Sequence, residues 1–114
     1  MSKRPVNVYE KYHAHVYYDE TSSEFAKNLC EEIGDRFGLP VGRFHDKPVG
    51  PHPRWSCQIS FESKDFDSLI PWLDQARNEL TVLVHGLSGN DLLDHTEHAY
   101  WLGEELELKL DIFD

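Results

Sequence analysis

The sequence predicts an α+β fold in which a four-stranded antiparallel sheet carries two helices on one face. Three observations point there. Two stretches repeat apolar residues at helical spacing, four short stretches are rich in β-formers, and they alternate as strand, helix, strand, strand, helix, strand over residues 13–85.

The first strand is His13 to Tyr18, which alternates and favours extended backbone. Thr21 to Glu24 has capping-box spacing, a hydroxyl followed three residues later by a carboxylate. Phe25, Leu29, Ile33 and Phe37 then recur at steps of four, widened by Ala26 and Cys30, and Gly38 closes the helix. Pro40 to His45 reads as a short second strand, and the Pro-rich stretch 46–54 as a loop. Trp55 to Phe61 is the third strand. Phe66, Leu69, Ile70, Leu73, Ala76 and Leu80 mark the second helix, with Pro71 expected in its first turn. Thr81 to His85 is the fourth strand. Asp91 to Leu102 reads as a loop with a helical turn, and the Leu/Glu alternation of 106–112 as a final strand with one wet face.

This order is that of a ferredoxin-like sheet, with the fourth and third strands flanking the first and the second at the edge beside the third. The expected unit is a single domain over residues 1–114, with a C-terminal extension supplying an extra strand. Folds of this shape often pair through their open faces, so a homodimer closing an α/β barrel is expected by analogy.

The totals narrow the partners. A net charge of -10 excludes binding along a run of phosphates and adhesion to an anionic membrane. No apolar run approaches the ~20 residues of a membrane span, and the N-terminal stretch lacks the apolar core of a signal peptide. Cys30 and Cys57 are isolated, which suits reduced core residues and a cytoplasmic location. Neutral or cationic small molecules remain as ligands, together with zwitterions held by one local Arg.

Seven histidines are a high share for 114 residues, and their placement is informative. Ala14, Val16, Cys57, Ile59, Phe61, Val82 and Val84 suit the face under the helices. The alternate positions are His13, His15, Tyr17, Arg43, His45, Gln58, Ser60, Leu83 and His85, low in the plain charge of a solvated face. Antiparallel pairing of the first and fourth strands brings His85 beside His13 and His15. Three converging imidazoles make a candidate site for a divalent transition metal.

His52, between two prolines, is a stiffly held ligand or base. His95 and His98 share one side if helical, and His95 is a candidate proton-transfer group. The isolated alternatives are inert surface histidines and, for Asp91, Asp94 and Glu97, a solvated helix face. The chain has no G-x-G-x-x-G, P-loop, H-E-x-x-H or CxxC motif, and its serines lack a nucleophile context.

The stretches HAHVYYD, GPHP before a strand, and VLVHGLSGNDLLDHTEHAYWLG together resemble the DOPA 4,5-dioxygenase family over about residues 8–105. That resemblance implies a ferredoxin-like fold, non-haem Fe(II), O2 as co-substrate, and L-DOPA or a related catechol opened at an extradiol bond. It suggests His13, His15 and His85 as metal ligands, with His52 an alternative third, and His52, His95 and Tyr17 as catalytic groups. Arg43 or Arg54 would hold a substrate carboxylate, and Gln58 and His98 would line the substrate site. Many iron(II) oxygenases use two histidines and one carboxylate. Asp19, Asp94 or Glu97 could complete the site from a loop. A different reading is a barrel, with or without metal, that binds small aromatics with another or no activity.

Overall fold

The computed structural model describes residues 5–113. Strand β1 (Lys11–Tyr18) lies in the middle of the sheet, antiparallel to β2 (Trp55–Glu62) on one side and β3 (Val82–Gly86) on the other. A short β4 (Ala99–Leu102) pairs with β3, giving the order β2-β1-β3-β4. Helices α1 (Ser23–Phe37) and α2 (Ser63–Ala76) pack on one face, and a single-turn α3 (Asp91–Asp94) lies between β3 and β4. The arrangement is consistent with a ferredoxin-like α+β fold.

Strand periodicity sorts the side chains as expected. Ala14, Val16, Cys57, Ile59, Val82 and Val84 are fully buried against Leu29, Cys30 and Ile33 of α1 and Leu69 and Leu73 of α2. Each Val, Ile or Leu among them contributes roughly 1.5–3 kcal/mol. Both cysteines are free and buried in this core. Helix α1 ends at Gly38, whose positive φ of 66° lets its N–H bond the Gly34 carbonyl.

Several expectations fail in instructive ways. Residues 40–45 form no strand but a single bridge, Val41 to Ile59, with Gly42 N–H donating to the Gln58 carbonyl and His45 N–H to the Ser56 carbonyl. Pro40 has no N–H to give, so the edge is irregular. Residues 106–112 do not pair either. They run as an extended strap ending in a 3-10 turn, Leu110–Phe113, while the extra strand is Ala99–Leu102 inside the stretch read as a loop. The Leu/Glu alternation marks an extended segment with one buried side, which a strap satisfies as well as a strand.

Two helix details also differ. Thr21 and Glu24 make no capping box. Instead the Asp19 carboxylate accepts from the N–H groups and hydroxyls of Thr21 and Ser22, fastening the turn, and Phe25 is exposed. Helix α2 starts at Ser63, capped reciprocally by Glu62 and Asp65, and ends at Ala76. Pro71 therefore lies in its interior and not its first turn.

Beyond the sheet, the face away from the helices is partly closed. Tyr17, Leu83, Ala99 and Trp101 form a second apolar cluster, and Leu106 and Leu108 of the strap pack on it. Lys109 N–H donates to the Pro51 carbonyl at 2.8 Å, tying the strap to the Pro-rich loop. The strap thus covers the Tyr17–Trp101 part of that face.

Candidate metal centre

The rest of that face carries the histidines. His13 is directly opposite His85 across the β1–β3 pairing and opposite Ser60 across β1–β2, and His15 is opposite Gln58. The period of two puts His13 and His15 on one side, and pairing supplies His85. One ring nitrogen from each lies within 4.8 Å of those of the other two. His15 and His85 are buried, and His13 is half-buried.

Two further imidazoles close over this triad from loops. The Pro51-His52-Pro53 segment folds back so that the His52 ring centroid lies 4.2 Å from that of His15. By its position before β2, His52 is expected toward the far end of the sheet from His85; the folded-back loop overrides that distance. Helix α3 delivers His95, whose ring is 4.4 Å from His85 and 6.2 Å from His52. Five rings therefore form one contiguous group.

Hydrogen bonds set the tautomers of several rings. A carbonyl only accepts, so the 3.1 Å contact between His85 Nδ1 and the Gly86 carbonyl fixes the ring proton on Nδ1 and leaves a lone pair on Nε2. The 2.7 Å contact of His95 Nδ1 with the Asp91 carbonyl does the same for His95. His52 Nδ1 lies 2.7 Å from the Tyr17 hydroxyl. Burial raises the Tyr17 pKa, so the phenol stays protonated; with it as donor, the proton of neutral His52 sits on Nε2. The Gln58 amide nitrogen is 3.3 Å from His13 Nε2 and marks that atom as an acceptor.

Burial and mutual repulsion favour the neutral form of His13, His15, His52 and His85. Burial, then mutual repulsion with His52, His85, His13 and His95, holds His15 well below the usual imidazole value. His52 and His85 are pushed down to about 4, first by burial and then by His95. His13 is lowered for the same two reasons, and the Asp94 charge opposes the shift at both His13 and His85. Neutral imidazoles suit a divalent transition metal: His85 presents an Nε2 lone pair, and the weak contact of His13 Nε2 with Gln58 and the shared proton between His15 and His85 can give way to one, so the residues present fit it.

Other sequence candidates lie elsewhere. Asp94 is buried but belongs to a clamp: Ser88 Oγ donates to its carboxylate at 2.6 Å, closing the loop that carries His95. His98 Nδ1 is 3.7 Å from Asp94, too far for a hydrogen bond, and its ring packs near Tyr9, outside the five-ring group. Asp19 fastens its turn, and Arg43, Arg54 and Glu97 are exposed. No carboxylate joins the triad among the described residues.

The sequence reading missed two features: the strap, and Phe113 at its end, whose ring lies 4.9 Å from His95. The only signal was the apolar alternation before Phe113.

Comparison with known proteins identifies the family. A protein described as uncharacterized, of 21.2 kDa, from Botryotinia fuckeliana is 36% identical, covering 86% of this chain and 60% of its own length. The DOPA 4,5-dioxygenase of Amanita muscaria is 29% identical, covering 89% of this chain and 48% of its own. The chain thus spans roughly half to three-fifths of these curated relatives. A crystal structure of a candidate dioxygenase from Nostoc punctiforme superposes with a TM-score of 0.88 at 39% identity, covering 91% of this chain and 90% of that one. The model of the Dopa 4,5-dioxygenase family matches residues 12–112, and the chain belongs to that family.

Proposed function

We propose that the chain is a non-haem Fe(II) dioxygenase that opens L-DOPA or a related catechol at an extradiol bond, using O2. The observation that carries this reading is the triad of neutral imidazoles, His13, His15 and His85, with donor nitrogens within 4.8 Å of one another and two more imidazoles against them. Ferrous iron, when bound there, would supply open coordination positions for both catechol oxygens and O2.

The remaining work falls to the chain's own groups. His95, held through its Nδ1 by the Asp91 carbonyl, presents an Nε2 lone pair and takes a catechol hydroxyl proton. His52, with its proton on Nε2 and Nδ1 held by Tyr17, donates a hydrogen bond to an oxygen that gains charge during cleavage, and His95 returns the proton it took to product. Burial of His15, His52 and His85 keeps bulk water from this space. Association into a homodimer is part of the same reading, and light scattering tests it.

The direct experiment is anaerobic reconstitution with Fe(II), followed by L-DOPA and air, reading O2 uptake and a yellow ring-opened product. Failure to consume O2 with any simple catechol would end the proposal.

A further inference from the structure

We propose that Lys11 is a specificity-determining residue: it holds the carboxylate of a catechol whose side chain occupies a cavity beside His13. This rests on the ring-cleaving reading above and adds which part of the molecule recognises the substrate's charged end.

The cavity, about 450 Å³, lies at the end of the sheet and touches His13, Ser60, Lys11, Lys64, Leu39 and Leu87. Its volume falls within the roughly 300–1,000 Å³ typical of small-molecule sites. Three sides of the triad are already taken: His52 covers His15, His95 covers His85, and the strap covers the sheet beyond. His13 is the least buried of the three ligand candidates. A ligand reaching the triad therefore approaches past His13, out of this cavity.

Lys11 stands two residues before His13 on the same face of β1, about 7 Å along the strand. With its long side chain it reaches the span between a catechol bound at the triad and a carboxylate two or three carbons from the ring. Two lysines line the cavity together with two carboxylates, Glu62, which is opposite Lys11 in the sheet, and Asp65, which accepts from the Glu62 N–H; the lysines differ. Lys64 lies 3.9 Å from Glu62, whereas Lys11 has no ion pair among the described residues. A chain of net charge -10 repels an anionic substrate at long range, so binding one needs a local cation. Arg43 and Arg54 are exposed and do not line this cavity.

The test compares 3,4-dihydroxyphenylacetate with 4-methylcatechol, which lacks the carboxylate. Binding is measured by calorimetry on the full chain loaded with redox-inert Zn(II), and turnover on the Fe(II) form. The expected result is that Lys11→Gln lowers the preference for the carboxylate ligand by about tenfold or more, the scale of one charge-assisted hydrogen bond. In turnover the loss appears in KM, and Lys11→Arg retains most of the preference. Should Lys11→Gln leave the ratio of the two affinities unchanged, or should the wild type show no preference for the carboxylate, the assignment is overturned. If the wild type neither binds nor cleaves any catechol, the ring-cleaving reading falls as well. That outcome is distinct from catechol binding that ignores Lys11. A thermal melt of Lys11→Gln, an exposed position, checks that the variant is folded.

Discussion

Nε2 of His15 lies 3.1 Å from Nε2 of His85, although 70 residues separate them in sequence. His85 has its proton on Nδ1, held by the Gly86 carbonyl, so its Nε2 carries a lone pair. Two lone pairs cannot face each other at that distance without a cation or proton between them. Without metal, His15 must donate an N–H to His85. With metal, that proton is displaced and both nitrogens become ligands.

From this exchange follows a metal-affinity prediction. His15→Ala and His85→Ala should each weaken Zn(II) or Co(II) binding by at least ~100-fold, beyond the range reported for partners outside the ligand set. Equilibrium dialysis with metal analysis measures it. Iron or zinc bound by His15→Ala as tightly as by the parent would remove His15 from the ligand set.

Acid sensitivity of the metal-free protein is the second expectation. His52 and His85 are pushed down to about 4 in the fold from near 6.5 when unfolded, and burial holds His15 well below the usual imidazole value too. A base whose folded pKa is depressed favours the fold while neutral. Its contribution is therefore fully present above pH 6.5 and is lost as pH falls toward 4. Together the three rings should make the protein less stable at pH 4.5 than at pH 7.5 by on the order of a few kcal/mol. Urea midpoints at the two pH values read this directly. Equal midpoints would show that the rings are not held neutral, and added Zn(II) at pH 6 should raise the midpoint by mass action.

How far the sequence revealed the site follows from the range of each constraint. His13, His15 and His85 were legible because strand period and antiparallel pairing are local rules, and the pairing of His13 with His85 follows from them. His52 was placed by chain position at the far end of the sheet. Its loop contains three prolines and one glycine between 46 and 54, and no periodicity states which way such a loop folds. Leu106 and Leu108 were read as a strand because alternation reports only a one-sided extended segment; whether its backbone finds a partner depends on the sheet edge it meets. Pro71 misplaced the start of α2 for a related reason: packing of Phe66, Leu69, Ile70 and Leu73 outweighs one lost ladder bond.

The strap gives a third prediction. Leu106 and Leu108 are partly buried on Tyr17, Leu83 and Trp101. Truncating both to Ala should cost roughly 2–4 kcal/mol, less than twice a fully buried Leu→Ala. The same variant should bind a hydrophobic dye through the uncovered cluster. Chemical denaturation measures the first and fluorescence the second. A double variant as stable as the parent would mean that the strap does not close that face in solution.

Tyr17 provides the sharpest separation of structure from chemistry. Its hydroxyl contacts His52 Nδ1 at 2.7 Å, and its ring stacks near Trp101 at 6.4 Å. Tyr17→Phe keeps the ring packing and removes only the hydroxyl. His52 then loses the bond that fixes its proton on Nε2, and the tautomer with the proton on Nδ1 becomes accessible. Metal affinity should stay within about twofold, because the triad is untouched, while kcat on a catechol falls about 10–100-fold, as for other groups that orient a functional imidazole. The acid limb of the pH profile of kcat should shift as well, since His52 must stay neutral and has lost its partner. A Tyr17→Phe variant with unaltered kcat and pH profile would remove His52 as the hydrogen-bond donor to the developing charge, because a group whose orientation and tautomer are free cannot be the one that limits turnover.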